Sequence, residues 1–353
     1  MKKYTIPGMK LGGTSFLLHA GYVPAVRFAA ERCEDVALLL LETGEQGEYL
    51  PTPEEIREIG RIADGEGASL HVHLPTDADF GTPGGTRAMV ADVRSAVERA
   101  APLHPHTFVL HVDFPRLHGT LPGSGGKGEA AQADKKGADT LAGCGGRSGT
   151  SVSDGTGLSG ETRLRTAGAL REIAACLPSP EQLAVENLET FPVRFWDGWI
   201  DGTPYSRCLD VGHIWKDGDD PAPVLAAWLP RLRVVHLHGL EPRGVSADCD
   251  PGSRDLLRRF GPRPRDHRSL RLMPPDCLDA VTHPLWKAGF AGVLNLEVFT
   301  FEAFAASHAV LLRSWERYEQ GGATGIGDAG FAGRRETISS DAPCSQTDRT
   351  GRP

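Results

Sequence analysis

The chain has 353 residues and a formal net charge of −8. An acidic chain opposes a large polyanionic partner such as DNA, because duplex binding draws most of its affinity from neutralising phosphates. No apolar run approaches the roughly eighteen residues that a membrane span needs, so we expect a soluble, cytoplasmic protein that binds neither nucleic acid nor membrane.

Short segments rich in Val, Ile and Leu alternate with helical patterns along the chain. Residues 36–42 are a nearly unbroken apolar run, as expected for a strand that is buried on both faces. The next helix is predicted to begin at Thr52, with Pro53 at its first position. The eight predicted strands are residues 9–15, 36–42, 69–74, 107–112, 183–187, 207–211, 233–237 and 293–298. This alternation predicts an α/β fold, a (β/α)8 TIM barrel.

The connections between these strands differ in composition. Helices are predicted over residues 24–33 and 86–100, whereas residues 191–202 are the least helical connection. Residues 118–160 consist largely of Gly, Ser, Ala, Lys and Asp, and cannot bury enough apolar surface to offset chain entropy. We expect a flexible insertion there, after the fourth strand, and a disordered tail over 320–353. Residues 1–319 would then form a single TIM-barrel catalytic domain.

Acidic and histidine side chains stand where the predicted strands end. Because the strand ends of a parallel barrel converge on one mouth, residues scattered over more than two hundred positions would face a common point. Imidazole nitrogen and carboxylate oxygen are ligands of divalent metals. The pattern therefore predicts a metal-dependent barrel enzyme whose ligands come from His73, His111, Glu186, Asp210, His213, His236 and Glu297.

The strongest local signal is the pair Asp210 and His213, with Gly212 between them at a turn. Alone, such a pair is more often a helix cap beside a surface histidine. Glu186 and Glu297 raise the expectation of a metal site, because a carboxylate at the interior end of a strand is costly unless a cation or a donor meets it.

These residues resemble the superfamily of endonuclease IV and the sugar-phosphate isomerases and epimerases, which are metal-binding (β/α)8 barrels. In that superfamily a Glu, an Asp, a His and a Glu on strands five to eight bind metal. The residues that match them in order are Glu186, Asp210, His236 and Glu297.

The trinuclear hydrolase branch of that superfamily adds four histidines, and the matching positions are His73, His111, His213 and His267. His267 stands for the histidine in the loop after strand seven. That loop normally carries an Asp two residues before its His, where this chain has Arg265. The resemblance therefore implies a mononuclear or dinuclear site rather than three metals.

Within the superfamily, the chain looks most like the cobamide-remodelling phosphodiesterases. The segments that carry this likeness are residues 71–75 (HVHLP), 208–213 (CLDVGH), 236–240 (HLHGL), 267–270 (HRSL) and 296–299 (LEVF). The resemblance implies hydrolysis of the nucleotide loop of cobamides such as coenzyme B12 and pseudo-B12. The products would be a cobinamide phosphate and an α-riboside, for cobamide salvage. Spacing alone reaches only a metal phosphohydrolase or an isomerase.

The ligand set suits phosphodiester chemistry, which needs an ionised nucleophile near neutral pH and positive charge on the phosphoryl oxygens; a divalent metal supplies both. We expect one or two ions, zinc first, with manganese or iron as alternatives. Glu186 is the predicted bridge between two ions. The candidate catalytic residues are Glu186, Glu297 and His213.

Two other functions remain open at this point. A sugar or sugar-phosphate isomerase or epimerase needs only the four-residue set and one metal, and leaves the extra histidines unexplained. A non-enzymatic module could instead bind a corrinoid. Both enzymatic functions predict a small-molecule substrate as the partner, and for the phosphodiesterase this substrate is a corrinoid. The sequence does not predict the oligomeric state.

Other polar and aromatic residues have two interpretations each. We expect His71 to point away from His73, and His238 either to contact substrate or to pack. The histidines at 19, 104, 106, 118, 283 and 308 are expected to be solvated. Aromatic residues 195, 196 and 199 could stack on a flat substrate or plug the barrel rim, and seven arginines within 254–271 could clamp phosphate or face solvent. The seven cysteines form no CxxC pair; we expect reduced thiols, and Cys208 to be a packing residue.

Overall fold

The structure, a computed structural model, describes residues 3–44, 47–76, 79–117, 157–242, 260 and 264–324. Eight parallel strands close into a barrel, which confirms the predicted fold. Its strands are β1 Lys10–Thr14, β2 Asp35–Leu39, β3 Ser69–His73, β4 Phe108–His111, β5 Leu183–Glu186, β6 Ser206–Asp210, β7 Leu232–Leu237 and β10 Val293–Leu296. Around the barrel the strands follow the order β1-β10-β7-β6-β5-β4-β3-β2. Pairing of Lys10 with Val293 closes the cylinder.

Helices follow most of these strands and cover the outside of the barrel. They are α1 Tyr22–Ala30, α2 Pro53–Glu66, α3 Pro83–Ala100, α4 Gly160–Ala174, α5 Asp197–Ile200, α6 Val211–Asp217, α7 Ala222–Trp228, α8 Pro275–Ala288 and α9 Phe301–Thr324. The connection after β5 has only the four-residue α5, as the weak helical pattern there predicted. None of the described helices is both long and apolar enough to cross a membrane.

The start of α2 shows how local sequence sets an element's bounds. Thr52 caps the helix by accepting a hydrogen bond from the Glu55 backbone, and the Glu55 side chain accepts in return from the Thr52 backbone. Pro53 occupies the first turn, where its missing N–H costs nothing. The predicted start of this helix is therefore confirmed.

Three features differ from the sequence prediction. Ser159 caps α4, so residues 157–160 lead into a helix instead of ending an insertion; residues 118–156 lie outside the described part of the chain. Helix α9 continues to Thr324, so the predicted tail cannot begin at 320; residues 325–353 are likewise not described. After β7, a two-stranded antiparallel sheet of β8 Gly239–Glu241 and β9 Arg265–Arg268 was not predicted.

The barrel has a small packed inner layer at mid-height. Val109, Ala184, Cys208 and Val234, one residue each from β4 to β7, form a buried cluster separate from the core between sheet and helices. Because side chains on a strand return to the same face every second residue, the residue two positions further on each strand also faces the interior. This inner layer therefore lies directly beneath the strand ends.

Candidate metal centre

The carboxyl ends of the strands bring the predicted ligands together. The last residues of β3 to β6 are His73, His111, Glu186 and Asp210, respectively. His236 is next to last in β7, and Glu297 directly follows β10. On β4 to β7 these side chains stand two positions beyond the inner layer, on the same interior face.

A first group of ligand atoms surrounds one oxygen of Glu186. The Nε2 atoms of His73 and His111 lie 3.3 Å and 3.2 Å from Glu186 Oε2. Ligands about 2.0 to 2.1 Å from a tetrahedral zinc ion stand about 3.3 Å apart, so this spacing fits an ion held between them. The three ligand atoms lie within 4.8 Å of one another.

A second group surrounds Nδ1 of His236. This nitrogen lies 3.2 Å from Glu186 Oε1, 3.2 Å from Glu297 Oε2 and 4.0 Å from Asp210 Oδ2. The four residues that the superfamily resemblance singles out thus converge on one point. Glu186 faces both groups, Oε2 toward the first and Oε1 toward the second.

Several polar atoms of this centre are buried without a hydrogen-bond partner among the described residues. They are Glu186 Oε2, Asp210 Oδ2, His111 Nε2 and His236 Nε2. Three carboxylates gathered in a buried site are unfavourable unless cations compensate them. The donor set, its spacing and its unpartnered atoms therefore fit one or two divalent metal ions.

The same arrangement determines the pKa values in the metal-free protein. Burial raises the pKa of Glu186, but the His236 and His111 imidazoles outweigh burial and hold this pKa well below its ordinary value. Burial likewise raises the pKa of Glu297, and His236 and His267 reverse it. These carboxylates are therefore ionised at neutral pH, which is the form that binds metal.

Asp210 is both a helix cap and a member of the metal centre. Its Oδ1 accepts a hydrogen bond from the His213 backbone at 2.7 Å, which caps α6, while its Oδ2 stays free. His213 donates from Nδ1 to the carbonyl of Asn187 at 3.1 Å and turns Nε2 to Glu189 Oε2 at 3.3 Å. Although burial lowers the pKa of His213, Asp210 and Glu189 raise it to about 10.

His267 lies on β9, beside the second group of ligand atoms. It donates from Nδ1 to the carbonyl oxygen of Glu297 at 3.1 Å, and its ring lies 4.3 Å from that of His238. Arg265, where the trinuclear enzymes carry an Asp, pairs with Glu241 instead. Neighbouring Asp266 pairs with Lys216. Neither residue 265 nor residue 266 therefore pairs a carboxylate with His267 in the way that the trinuclear enzymes do, and the number of metals stays a prediction.

The prediction that His71 points away from His73 is wrong. Two residues apart on β3, the two side chains share the interior face, and His71 is fully buried. His71 Nδ1 and His106 Nε2 both donate to Asp35, at 2.5 Å and 2.8 Å. His106 is therefore not simply solvated, as the sequence suggested, but closes a buried hydrogen-bond network.

The structure decides between the two interpretations of the aromatic residues. Phe195, Trp196 and Trp199 are 7%, 0% and 7% exposed, so they pack and offer no stacking face. Cys208 is buried in the inner layer, as predicted, and the described cysteines 33, 176, 208 and 277 are free thiols.

Of the arginines in 254–271, Arg265 and Arg268 pair with Glu241 on the outer hairpin. The arginines at 254, 258, 259 and 263 lie outside the described residues. Arg271, the third described arginine of this segment, is exposed, and a phosphate clamp in this segment stays a prediction.

Sequence reasoning missed several residues around the centre. Glu189 pairs with His213 and, at 3.0 Å, with Lys216. Asn187 binds Asp210 reciprocally, accepting from its backbone N–H at 2.9 Å and donating to its carbonyl at 2.8 Å. Both follow directly on the β5 strand end, which was the available signal.

Comparisons with known proteins support the fold. No family model and no curated protein sequence matches the chain. Among solved structures, a D-tagatose 3-epimerase-like protein aligns with a TM-score of 0.58 and 16% identity over 89% of this chain and 99% of its own. A xylose isomerase domain protein from Planctomyces limnophilus aligns with a TM-score of 0.56 and 12% identity over 91% of this chain and 100% of its own. A 3-keto-D-glucoside 4-epimerase from E. coli aligns with a TM-score of 0.52 and 12% identity over 87% of this chain and 99% of its own. The chain therefore has the fold of the xylose isomerase-like TIM barrels.

Proposed function

We propose that this protein is a divalent metal-dependent enzyme acting on a small molecule at the carboxyl-terminal mouth of the barrel. The buried, unpartnered ligand atoms of Glu186 and Asp210 support a metal there. The side chains of His111 and His267 are 17% and 24% exposed, so both imidazoles are partly accessible to solvent.

The observation that favours one reaction is the position of Glu186 between two groups of ligand atoms. His73 and His111 face its Oε2, and His236 faces its Oε1. A single-metal isomerase uses the second group and gives no role to the two histidines of the first. Two ions sharing Glu186 suit hydrolysis of a phosphodiester.

We therefore infer phosphodiester hydrolysis, with the nucleotide loop of cobamides as the substrate that the sequence resemblance suggests. The metals would supply a nucleophile ionised near neutral pH and positive charge for the phosphoryl oxygens. Glu186 and Glu297 would hold the ions, and His213, fixed by Asn187 and Glu189, would stand beside them to exchange a proton with the substrate.

Sugar or sugar-phosphate isomerisation or epimerisation is the second candidate, and the solved structures with this fold favour it. Two of these proteins are named as epimerases or epimerase-like, and the third as a xylose isomerase domain protein. The group of Glu186, Asp210, His236 and Glu297 would be sufficient for one metal in such an enzyme.

The variant His111→Gln separates the two candidates. We expect wild-type protein to bind two equivalents of zinc or manganese and to cleave coenzyme B12 or pseudo-B12 to a cobinamide phosphate and an α-riboside. We expect His111→Gln to bind one equivalent and to lose cobamide hydrolysis. Metal content by mass spectrometry and product analysis by chromatography are the measurements, with His19→Gln as an exposed control.

One equivalent in the wild type, no cobamide product and turnover of a ketohexose or its phosphate that survives His111→Gln would establish the second candidate. Absence of bound metal in the wild type would contradict both.

A further inference from the structure

We propose that His238 is a positioning residue, whose Nε2–H holds one oxygen of Asp210 so that the other oxygen faces the metals. This inference rests on the proposed metal centre. It gives His238 a role in that centre, whereas the sequence predicted that His238 either contacts substrate or packs. His238 follows directly on β7 and is completely buried.

The hydrogen bonds of the ring determine which nitrogen carries the proton. The backbone N–H of His267 points at His238 Nδ1, 3.0 Å away. A backbone N–H can only donate, so Nδ1 accepts and the ring proton lies on Nε2. The carbonyl of Gly239 lies 3.4 Å from the same Nδ1 and would require the opposite tautomer. The shorter contact, with its unambiguous donor, determines the assignment.

This tautomer excludes His238 as a metal ligand. Ring nitrogens of His213, His238 and His267 lie within 4.8 Å of one another, which on distance alone resembles a three-imidazole site. A nitrogen that carries a proton cannot ligate, and the other nitrogen of His238 is engaged by His267. The three rings therefore do not form a third metal site.

Among the described residues His238 Nε2 has no hydrogen-bond partner, and Asp210 is the acceptor that lies beside it. Nε2 lies 3.4 Å from Asp210 Oδ1, the oxygen that accepts from the His213 backbone. The other oxygen, Oδ2, has no hydrogen-bond partner among the described residues and faces His236 Nδ1 at 4.0 Å. The His213 backbone N–H on Oδ1, with His238 Nε2 beside the same oxygen, leaves Oδ2 as the metal-binding atom. Outer donors of this kind fix the orientation of ligating carboxylates.

Gly212 provides the space that the ring of His238 occupies. A Cβ atom on Gly212 would overlap the imidazole carbon Cε1 and both ring nitrogens. Gly212 lies in α6 and does not have a positive φ, so alanine is compatible with its backbone. Gly212→Ala therefore displaces the ring while removing neither a donor nor a ligand.

The test compares metal affinity in two variants of matched size. The amide of His238→Gln keeps a donor at the distance of the imidazole Nε2, whereas His238→Met has similar volume and no donor. We expect His238→Met to bind zinc about 10-fold to 100-fold more weakly than wild type, the range found when outer donors of a metal site are lost. His238→Gln should stay within about threefold. Affinity is measured by competition with a chelator, and folding by circular dichroism of the metal-free proteins.

A second comparison does not depend on replacing His238 by Met or Gln. It displaces the His238 ring by a substitution at Gly212. Gly212→Ala should weaken zinc binding about tenfold in the wild-type background and not in a His238→Ala background, where the added Cβ has room. Equal losses in both backgrounds, or equal affinities of the Gln and Met variants, would overturn the positioning role and leave the metal centre intact. If wild-type protein binds no zinc, the metal centre and this role fail together. Should His238→Met not fold, the Gly212→Ala pair decides.

Discussion

At the scale of single residues, Asp210 shows that two interpretations of a motif can both be correct. One oxygen caps α6 through the His213 backbone, and the other is left free at the centre. The cap therefore fixes the carboxylate and orients it in the same step. An Asp three residues before a His can be a helix cap, a metal ligand or both, and the sequence does not tell these apart. The environment of the second carboxylate oxygen decides, and only the structure shows it.

Asp217, at the end of α6, has the opposite environment. Burial raises the pKa of Asp217 to about 7 from an ordinary value of 3.8, with Glu189 adding to the rise and the Thr190 backbone N–H, 2.6 Å away, opposing it. The folded protein therefore keeps a proton that the unfolded chain has already lost between about pH 4 and 7. Stability should fall as pH rises through that window, because the unfolded state there binds fewer protons.

We predict that Asp217→Asn flattens this pH dependence. The amide carbonyl can still accept from Thr190, while the charge beside Glu189 disappears. The free energy of unfolding of the metal-free protein should increase by about 1 to 2 kcal/mol at pH 8 and change little at pH 4. Urea titrations at the two pH values measure it; parallel curves for variant and wild type would refute the prediction.

At the scale of elements, the connection after β5 is where the barrel replaces a helix with aromatic packing. Trp196 is fully buried, contacts Phe191 and Phe195, and donates from Nε1 to the Val112 carbonyl at 3.1 Å. Phe114 stacks against Trp199 in the same cluster. These rings stabilise the rim beside β4 and β5, which carry His111 and Glu186.

We predict that Trp196→Ala acts on stability and not on substrate binding. The cavity and the lost hydrogen bond should lower the free energy of unfolding by about 3 to 5 kcal/mol, and Trp196→Phe should cost less because it keeps most of the ring. Denaturant unfolding and the KM of the folded fraction are the measurements. A raised KM with unchanged stability would instead indicate a stacking platform.

The strands and their terminal ligands could be predicted because one stretch of sequence carries both signals. An apolar run ends at Glu186, and the parallel topology then brings it to the same mouth as Glu297. The error at His71 came from assigning the wrong face on a single strand. The hydrogen bond of His106 to Asp35 joins residues 71 positions apart, and no local pattern indicates such a contact.

The contact of His238 with Asp210 was also beyond sequence reasoning, for a different reason. It depends on the ring tautomer set by the His267 backbone and on the space left by Gly212. The hairpin of β8 and β9 that delivers His267 is short and pairs through only two registered positions. Neither the tautomer nor the hairpin is specified by hydrophobic periodicity.

At the scale of the whole molecule, the metal centre links β3 to β7 with β10. The carboxylates and imidazoles of these strands approach one another only in the closed barrel, so any ion that they hold would bind the folded state in preference to the unfolded chain. Metal should therefore stabilise the protein, by an amount that rises with the logarithm of the free metal concentration. When the free metal concentration is a hundred times Kd, the free energy of unfolding increases by about 2.7 kcal/mol per site.

We predict that adding zinc to the metal-free protein raises its melting temperature, and that Glu297→Gln reduces this increase to that of a single site. The amide nearly matches the carboxylate in shape but removes a charged ligand from the second group, where Glu297 Oε2 lies 3.2 Å from His236. The metal-free variant should melt lower than the metal-free wild type, because the buried His236 imidazole loses its charged partner, so the increase on adding zinc is compared within each protein. Glu302→Gln, exposed in the first turn of α9, is the matched control and should keep the full increase. Scanning calorimetry with and without zinc measures the effect, and an undiminished increase in Glu297→Gln would remove Glu297 from the ligand set.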